Sequence, residues 1–384
     1  MILMNLKNFL FAGALCALAL GQAGCTKDKT EVLVATDPAE GEILVAPFEA
    51  GNSKSGKLLV LDAYGNTLKE KKTAAEALNF QKWEVEGTVR YTYLEHNTNT
   101  YEINPPSIVP AWGVVLDENL NEIKRISLLP YNERTAGDPS AIDAHEFIYL
   151  NDHHFITIAY FEKAVNNIPA SLNPVTNCKV VAPIIQEIEN DQVVWEWDAS
   201  RFPEFYEQSV EGNQFSNAGT VHDYMHLNSV FIDPNDNNLI CSFRNTNQVV
   251  KINRTTGDIL WRLGGTNSDF PLAADQKFLR QHHATLTDNN QTLLLFDNGN
   301  KGEREYSRVL EFQLGEAEKS IRTYKAFPLP NGIFSQFMGS VQKIGDRYFI
   351  GCGSEPRVME VNYNTGAISY LMQLALPSYR AFKY

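Results

Sequence analysis

HLNSVFIDPNDNNLICSFRN (226–245) and QVVKINRTTGDILWRLG (248–264) read as two consecutive hairpins. Each has an apolar run, a tip of Asn, Asp, Gly or Thr, and a second apolar run, which is the pattern of half-buried strands joined by tight turns. Together they make one four-stranded antiparallel unit. The same two hairpin types alternate along the chain. The outer type recurs as GKLLVLDAYGNTLKEKK (57–73), GVVLDENLNEIKRISLL (113–129), APIIQEIENDQVVWEWD (182–198), RVLEFQLGEAEKSIRTY (308–324) and RVMEVNYNTGAISYLMQ (357–373). The inner type recurs as HEFIYLNDHHFITIAY (145–160), HHATLTDNNQTLLLFDNG (282–299) and GSVQKIGDRYFIGCGS (339–354), and less clearly as FQKWEVEGTVRYTYLEH (80–96). GEILVAPF (41–48) is half of one, and the tail SYRAFKY (378–384) has strand composition. Four-stranded units repeated along the chain predict an all-β protein, a six-bladed β-propeller. A sandwich fits the alternation poorly, and seven blades is the nearer alternative. The ring is expected to close by pairing the N- and C-terminal strands, with the tail as innermost strand of the blade that starts at GEILVAPF.

The chain has 384 residues, 43% of them hydrophobic, and a net charge of −13, enough for a large core and too acidic for a general nucleic-acid-binding face. Residues 1–24 have signal-peptide anatomy: Lys7, an apolar run from Phe9 to Leu20 too short to span a bilayer, then small residues before Cys25. Gln22-Ala23-Gly24-Cys25 resembles a bacterial lipobox, with Gln22 where an aliphatic residue is usual. Residues 25–40 then read as a lipidated cysteine and its tether, and 41–384 as a single propeller domain. The competing reading is an ordinary secretory signal with an incidental cysteine. On the lipoprotein reading the protein is exported and held on a cell-envelope membrane by the anchor alone, on the periplasmic or the outer surface. Cys178, Cys241 and Cys352 remain and exclude a disulfide scaffold. The Asn/Asp runs at 235–238 and 288–290 resemble calcium loops only loosely and suit hairpin tips. The oligomeric state stays open.

In a propeller the first strand of each blade lines the central channel, and its start lies on the same disc face as the end of the second strand. His145, His226 and His282 all fall at first-strand starts. His96, Arg244, Asp297 and Asn298 fall at second-strand ends, and Arg380 near the start of the closing strand. His222 precedes His226 by four residues. The sequence therefore predicts a site at one channel mouth that gathers these groups, with insertions at 161–178, 199–221 and 265–280 on the same side. Tyr224, Phe202, Phe205, Tyr206, Phe215 and Phe270 lie in or near the insertions and are candidate aromatic walls. His153 and His154 fall at a tip on the opposite face.

The stretch 222–265, Gln281-His282-His283, LFDNGN (295–300) and SYRAF (378–382) are similar to the bacterial arylsulfotransferase family, most closely to a branch reading D-x-x-H-x-N-S, S-x-R, W-x-L-G-G, Q-H, F-D-N-G and S-Y-R. The resemblance implies a six-bladed propeller that transfers a sulfuryl group from an aryl sulfate ester to a phenolic acceptor without a nucleotide donor. Its substrates are small aromatic sulfate esters and phenols, and no metal or cofactor is needed. Carried over by position, His226, His282, Arg244 and Arg380 match site residues, with His145 alongside. His222, Asn298, Tyr224 and Arg304 are candidates for substrate binding. The chemistry suits the residue types: cations stabilise sulfuryl oxygens, a neutral imidazole attacks sulfur, and a second imidazole moves the phenol proton. One departure stands out. The better-known branch uses a late histidine as nucleophile, whereas no histidine follows His283, and Phe337-Met338-Gly339-Ser340 occupies the equivalent hairpin. His226 or His282 is then the expected nucleophile, unless transfer runs directly between bound phenols. Two other readings remain: a non-catalytic lipid-anchored binding propeller, and a metal site built from His145, His226 and His282, which the nearby arginines oppose.

Overall fold

The computed structural model describes residues 29–49, 55–97, 108–132 and 141–384. The segment 1–24 expected to be a signal peptide, and Cys25, lie outside the described residues. Six small antiparallel sheets follow one another along the chain, each forming one blade of a propeller. Blade 1 holds Ile43–Pro47, Gly56–Leu61 and Thr67–Thr73. Blade 2 spans Ala77–Val85 to Glu122–Ile126, and blade 3 spans Phe147–Asn151 to Gln192–Asp198. Blades 4, 5 and 6 run from Leu227–Ile232, His282–Thr287 and Ser340–Ile344 to Ile259–Gly264, Ser320–Pro328 and Ile368–Gln373.

Closure follows the expected scheme. Ser378–Lys383 is the innermost strand of blade 1, pairing antiparallel with Ile43–Pro47, so both chain ends lock one blade. The backbone bonds between Glu42 and Tyr384 extend that seam. A further strand was not foreseen: Glu31–Ala35 pairs with the outer edge of blade 6. It covers backbone groups that would otherwise form an open sheet edge.

The core lies between blades, where apolar faces of neighbouring sheets meet. Leu44, Val60, Phe80, Tyr91 and Val114 fill one such layer, and Ile240, Leu263, Leu293, Leu310 and Phe312 another. This explains the apolar runs read in the sequence: Leu44 and Val60 enter one layer while Ile43, Val45, Leu59 and Leu61 of the same strands enter the next, so inner strands bury both faces.

Two connections differ from expectation. The loop expected at 161–178 shrinks to 166–177, because His154–Val165 and Cys178–Glu189 pair along their whole length. Two-residue strands also precede two of the channel histidines. Ile142–Asp143 pairs with the third strand of blade 2, and Val221–His222 pairs parallel with the third strand of blade 3. Each pins the chain to the preceding blade just before it enters the channel.

Candidate active site

On one disc face the starts of the innermost strands surround a cavity of about 350 Å³. His145, His226, His282, Arg244, Arg280 and Tyr379 supply its polar groups, and Phe48, Leu78, Val109, Phe337 and Met338 its apolar wall. The three histidines fall within one cluster: the His145 ring centroid is 4.9 Å from that of His226 and 6.3 Å from that of His282.

The pinned two-residue strands explain how two of these imidazoles are oriented. Asp143, buried at the end of the first, meets His145 Nδ1 and also accepts from its backbone N–H. Asp223, immediately after the second, lies 2.6 Å from His226 Nδ1. A carboxylate can only accept, so each Nδ1 carries a proton, and in the neutral imidazole the lone pair is on Nε2. The Asp223–His226 turn is held in turn. Asn245 Nδ2–H donates to the Asp223 carbonyl at 2.7 Å, and the Arg244 backbone N–H donates to the His226 carbonyl at 2.9 Å. His226 adopts φ of 55°, a left-handed conformation that these bonds stabilise.

His282 has a different environment. Its Nδ1–H donates to the Gly339 carbonyl at 2.8 Å, and its Nε2 accepts from the Tyr379 hydroxyl at 3.1 Å. Burial pushes its pKa well below the usual imidazole value, and the Arg380 and His145 charges push the same way. It is therefore a neutral group with both nitrogens engaged.

Two arginines line the rim. Arg244 reaches Glu211 at 3.0 Å and the Asn245 side chain at 2.7 Å, with its guanidinium 5.5 Å from the centroid of Phe337. Arg280 approaches the same Glu211 carboxylate at 3.1 Å. Burial lowers the Arg280 pKa, and Arg244 adds to that, while Glu211 opposes it. One half-exposed carboxylate therefore bridges two cations, an arrangement that an incoming anion can displace.

The structure does not bring every predicted residue to this cavity. Arg380 points away from it into a second channel cavity, where its Nη1 meets Glu146 at 2.8 Å and Asn79 at 3.1 Å. The preceding residue, Tyr379, takes the place at the histidines, because the closing strand sets adjacent side chains on opposite sides. His222 is buried against the Phe215 ring, 5.2 Å away, and burial lowers its pKa. Tyr224 is buried on Tyr206 at 4.5 Å between centroids, and Phe202, Phe205 and Phe215 pack in the same core. Phe270 packs on Trp261. None of these aromatics is in the cavity wall. Arg304 pairs with Asp297, which also takes Arg308, and donates to the Tyr306 carbonyl. Asn298 donates to the Ser335 and Met338 carbonyls, at 2.8 and 2.9 Å, and so shapes the turn that carries Phe337 and Met338 into the wall. His96 pairs with Glu76 outside the cavity, and His154 with Glu187.

Two motif residues serve the frame. Asn228 donates to the Gln281 carbonyl, and the Gln281 amide donates to Ser242, Phe243 and Gln248, which clamps blade 4 to blade 5 beside His282. Sequence reasoning missed Asp143, Asp223, Arg280 and Tyr379. The signals were present: Asp two and three residues before a channel histidine, an arginine next to Gln281-His282, and a tyrosine next to the chosen Arg380. Among the described residues no group of three or more His, Cys, Asp or Glu side chains is arranged to hold a metal ion.

The fold and the cluster define a six-bladed propeller with a histidine- and arginine-lined pocket at one mouth of its channel. The family model described as arylsulfotransferase (ASST) matches residues 114–370, and the chain belongs to that family. No curated protein matches it. Among solved structures, a protein of unknown function from Bacteroides caccae is similar at 10% identity and a TM-score of 0.47, with 90% of this chain and 99% of that one covered. A putative 6-phosphogluconolactonase from Bacteroides fragilis is similar at 12% identity and a TM-score of 0.44, with 91% and 100% covered. Neither likeness is close enough to bear on activity.

Proposed function

We propose that the protein transfers a sulfuryl group from an aryl sulfate ester to a phenol, with His226 as the nucleophile. The observation that carries this reading is the Asp223–His226 pair inside an arginine-rimmed cavity, in a chain of the arylsulfotransferase family. With Nδ1–H held by Asp223, the Nε2 lone pair attacks sulfur while the aryl C–O bond stays intact and the S–O bond breaks. Asp223 stabilises the positive charge that the imidazole acquires, as a carboxylate does in a hydrolase triad. Arg244 and Arg280 release Glu211 and take the sulfonate oxygens. The acceptor's oxygen then attacks that sulfur and the N–S bond breaks, returning the lone pair to His226. His145, fixed in the same tautomer by Asp143, takes the acceptor phenol's proton and gives it to the phenolate that leaves in the next round. His282 and Tyr379 form a neutral floor. Phe48, Leu78, Phe337 and Met338 hold the aromatic ring. Phe337 and Met338 stand in the hairpin where the better-known branch carries its late histidine, so the nucleophile's role passes to a histidine of the cluster.

Export with lipidation of Cys25 belongs to the same reading and is supported by the lipobox-like Gln22-Ala23-Gly24-Cys25. Among the described residues no helix is long and apolar enough to cross a membrane.

The test is release of nitrophenol from p-nitrophenyl sulfate with and without a second phenol. We expect acceptor-dependent release that falls about a thousandfold in His226→Ala, within the range for loss of a reacting side chain. Repeated turnover without acceptor, beyond one nitrophenol per protein, would indicate a sulfatase. No release with any acceptor from folded protein would leave a binding propeller.

A further inference from the structure

The strand Glu31–Ala35 fixes where the N-terminal segment leaves the disc. It runs antiparallel to Ile368–Gln373, with Glu31 opposite Gln373 and Ala35 opposite Tyr370. Gln373 is at the end of that strand nearest the connection 374–377, which leads directly to Ser378 and Tyr379 at the histidine pocket. The Ala375 backbone N–H donates to the Thr30 hydroxyl at 3.2 Å. The chain therefore departs from the pocket face, and the opposite end of the strand faces away.

Five residue steps separate Thr30 from Cys25, so this tether reaches at most roughly 18 Å when fully extended. Strands of five to six residues make a disc about 17–20 Å tall before its loops are added. A tether of that length starting at the pocket face does not pass down the whole side of the disc. It allows the pocket face, and not its opposite, to meet the membrane.

The surface agrees with that direction. The rim around the mouth exposes Phe337, Leu376 and Val210 to 48%, 39% and 45%, on three separate connections. Leu376 lies in the connection tied to Thr30, Phe337 in the pocket wall, and Val210 beside Glu211 in the insertion after blade 3. Large apolar side chains spread round a rim suit shallow contact with the headgroup and acyl boundary. The opposite face is built from polar tips at 233–238, 288–291 and 362–366, with Tyr64 and Tyr384 as its exposed aromatics. The exposed Leu68, Ile123, Val194 and Leu260 follow that face's tips on the outermost strands, at the outer edges of the blades and away from the channel.

We propose that the pocket mouth faces the bilayer to which Cys25 ties the chain, and that the aromatic substrates it takes are amphiphilic phenols and their sulfates drawn from the membrane interface. The proposal rests on the lipoprotein reading and adds the direction of the site.

The test uses the full chain, processed in its host, purified in detergent and reconstituted in phosphatidylethanolamine/phosphatidylglycerol vesicles. Single cysteines at Leu376→Cys, Val210→Cys and Asn364→Cys carry an environment-sensitive fluorophore. Cys178, Cys241 and Cys352 are buried and do not compete for it. Vesicles containing a lipid with a nitroxide near its headgroup then report proximity. We expect severalfold stronger quenching at Leu376 and Val210, on well-separated parts of the mouth face, than at Asn364 on the opposite face. Equal or stronger quenching at Asn364 overturns the proposal. Quenching at Leu376 alone also overturns it, since the disc would then stand on edge. The N-terminal mass separates the two failures. A lipid-bearing N-terminus with the wrong pattern sinks only the orientation, whereas an unmodified N-terminus sinks the anchor and the orientation together.

Discussion

The two cavities of the central channel use the same residue types in opposite ways. At the mouth, His145 and His226 each hold one nitrogen on a carboxylate and keep the other free, and Arg244 and Arg280 share a half-exposed glutamate. In the second cavity, Arg380 is fully buried and meets Glu146, Asn79 and the Asn228 carbonyl. His283, next to His282 in sequence, accepts from the Val341 backbone N–H and packs on Phe382. Buried charges with such partners hold blades together. Half-satisfied groups at a cavity mouth are free to act on a ligand.

That contrast is open to direct attack. The largest expected effect is on stability. Arg380→Met strands the Glu146 carboxylate in the channel and should lower the unfolding free energy by about 3–5 kcal/mol, read by denaturant titration. Arg244→Met should cost far less stability and instead raise KM for the sulfate ester. Equal stability losses would erase the distinction between the two cavities.

Asp223→Asn keeps the shape of the pocket but offers His226 a group that can donate as well as accept. The proton then moves readily to Nε2, and turnover should fall about a hundredfold or more with little change in folding. An unaffected kcat would remove Asp223 from the mechanism.

The third prediction concerns pH. Burial and the Arg380 charge hold His282 and His283 neutral in the folded protein, with pKa values well below the usual one. The unfolded chain takes up their protons below about pH 6.5. Stability should therefore fall as pH drops through that value, by about 1.4 kcal/mol per pH unit for each histidine. In His283→Gln the slope of unfolding free energy against pH should be smaller by one such increment. An unchanged slope would mean that His283 titrates normally in the fold.

The smallest effect is expected at Tyr379→Phe. Loss of the hydroxyl frees His282 Nε2 without removing the ring from the wall, so kcat should fall about tenfold, an amount typical of one neutral hydrogen bond.

The fold was legible because each blade repeats the same alternation, and the closing tail was legible because blade 1 lacked an inner strand. The site was legible as a place, since His145, His226 and His282 share one repeat position. Individual side chains were less so. Arg380 and Tyr379 differ by one residue, and on a strand that step exchanges the two sides. Tyr224 and Phe215 looked like substrate walls because they sit in an insertion, but the insertion needs a core of its own and uses them there. The edge strand Glu31–Ala35 carries no turn signal linking it to blade 6, since its partner lies more than three hundred residues away.

The most direct test of the central claim is a single-turnover reaction of the protein with excess p-nitrophenyl sulfate and no acceptor. It would be quenched in base, because an N–S bond to imidazolium breaks in acid, and followed by peptide mapping. The account predicts a burst of one nitrophenol per protein and one SO3 group on the peptide containing His226, both lost in His226→Ala. Acceptor-dependent turnover without a burst, or a sulfated peptide that excludes His226, would contradict it.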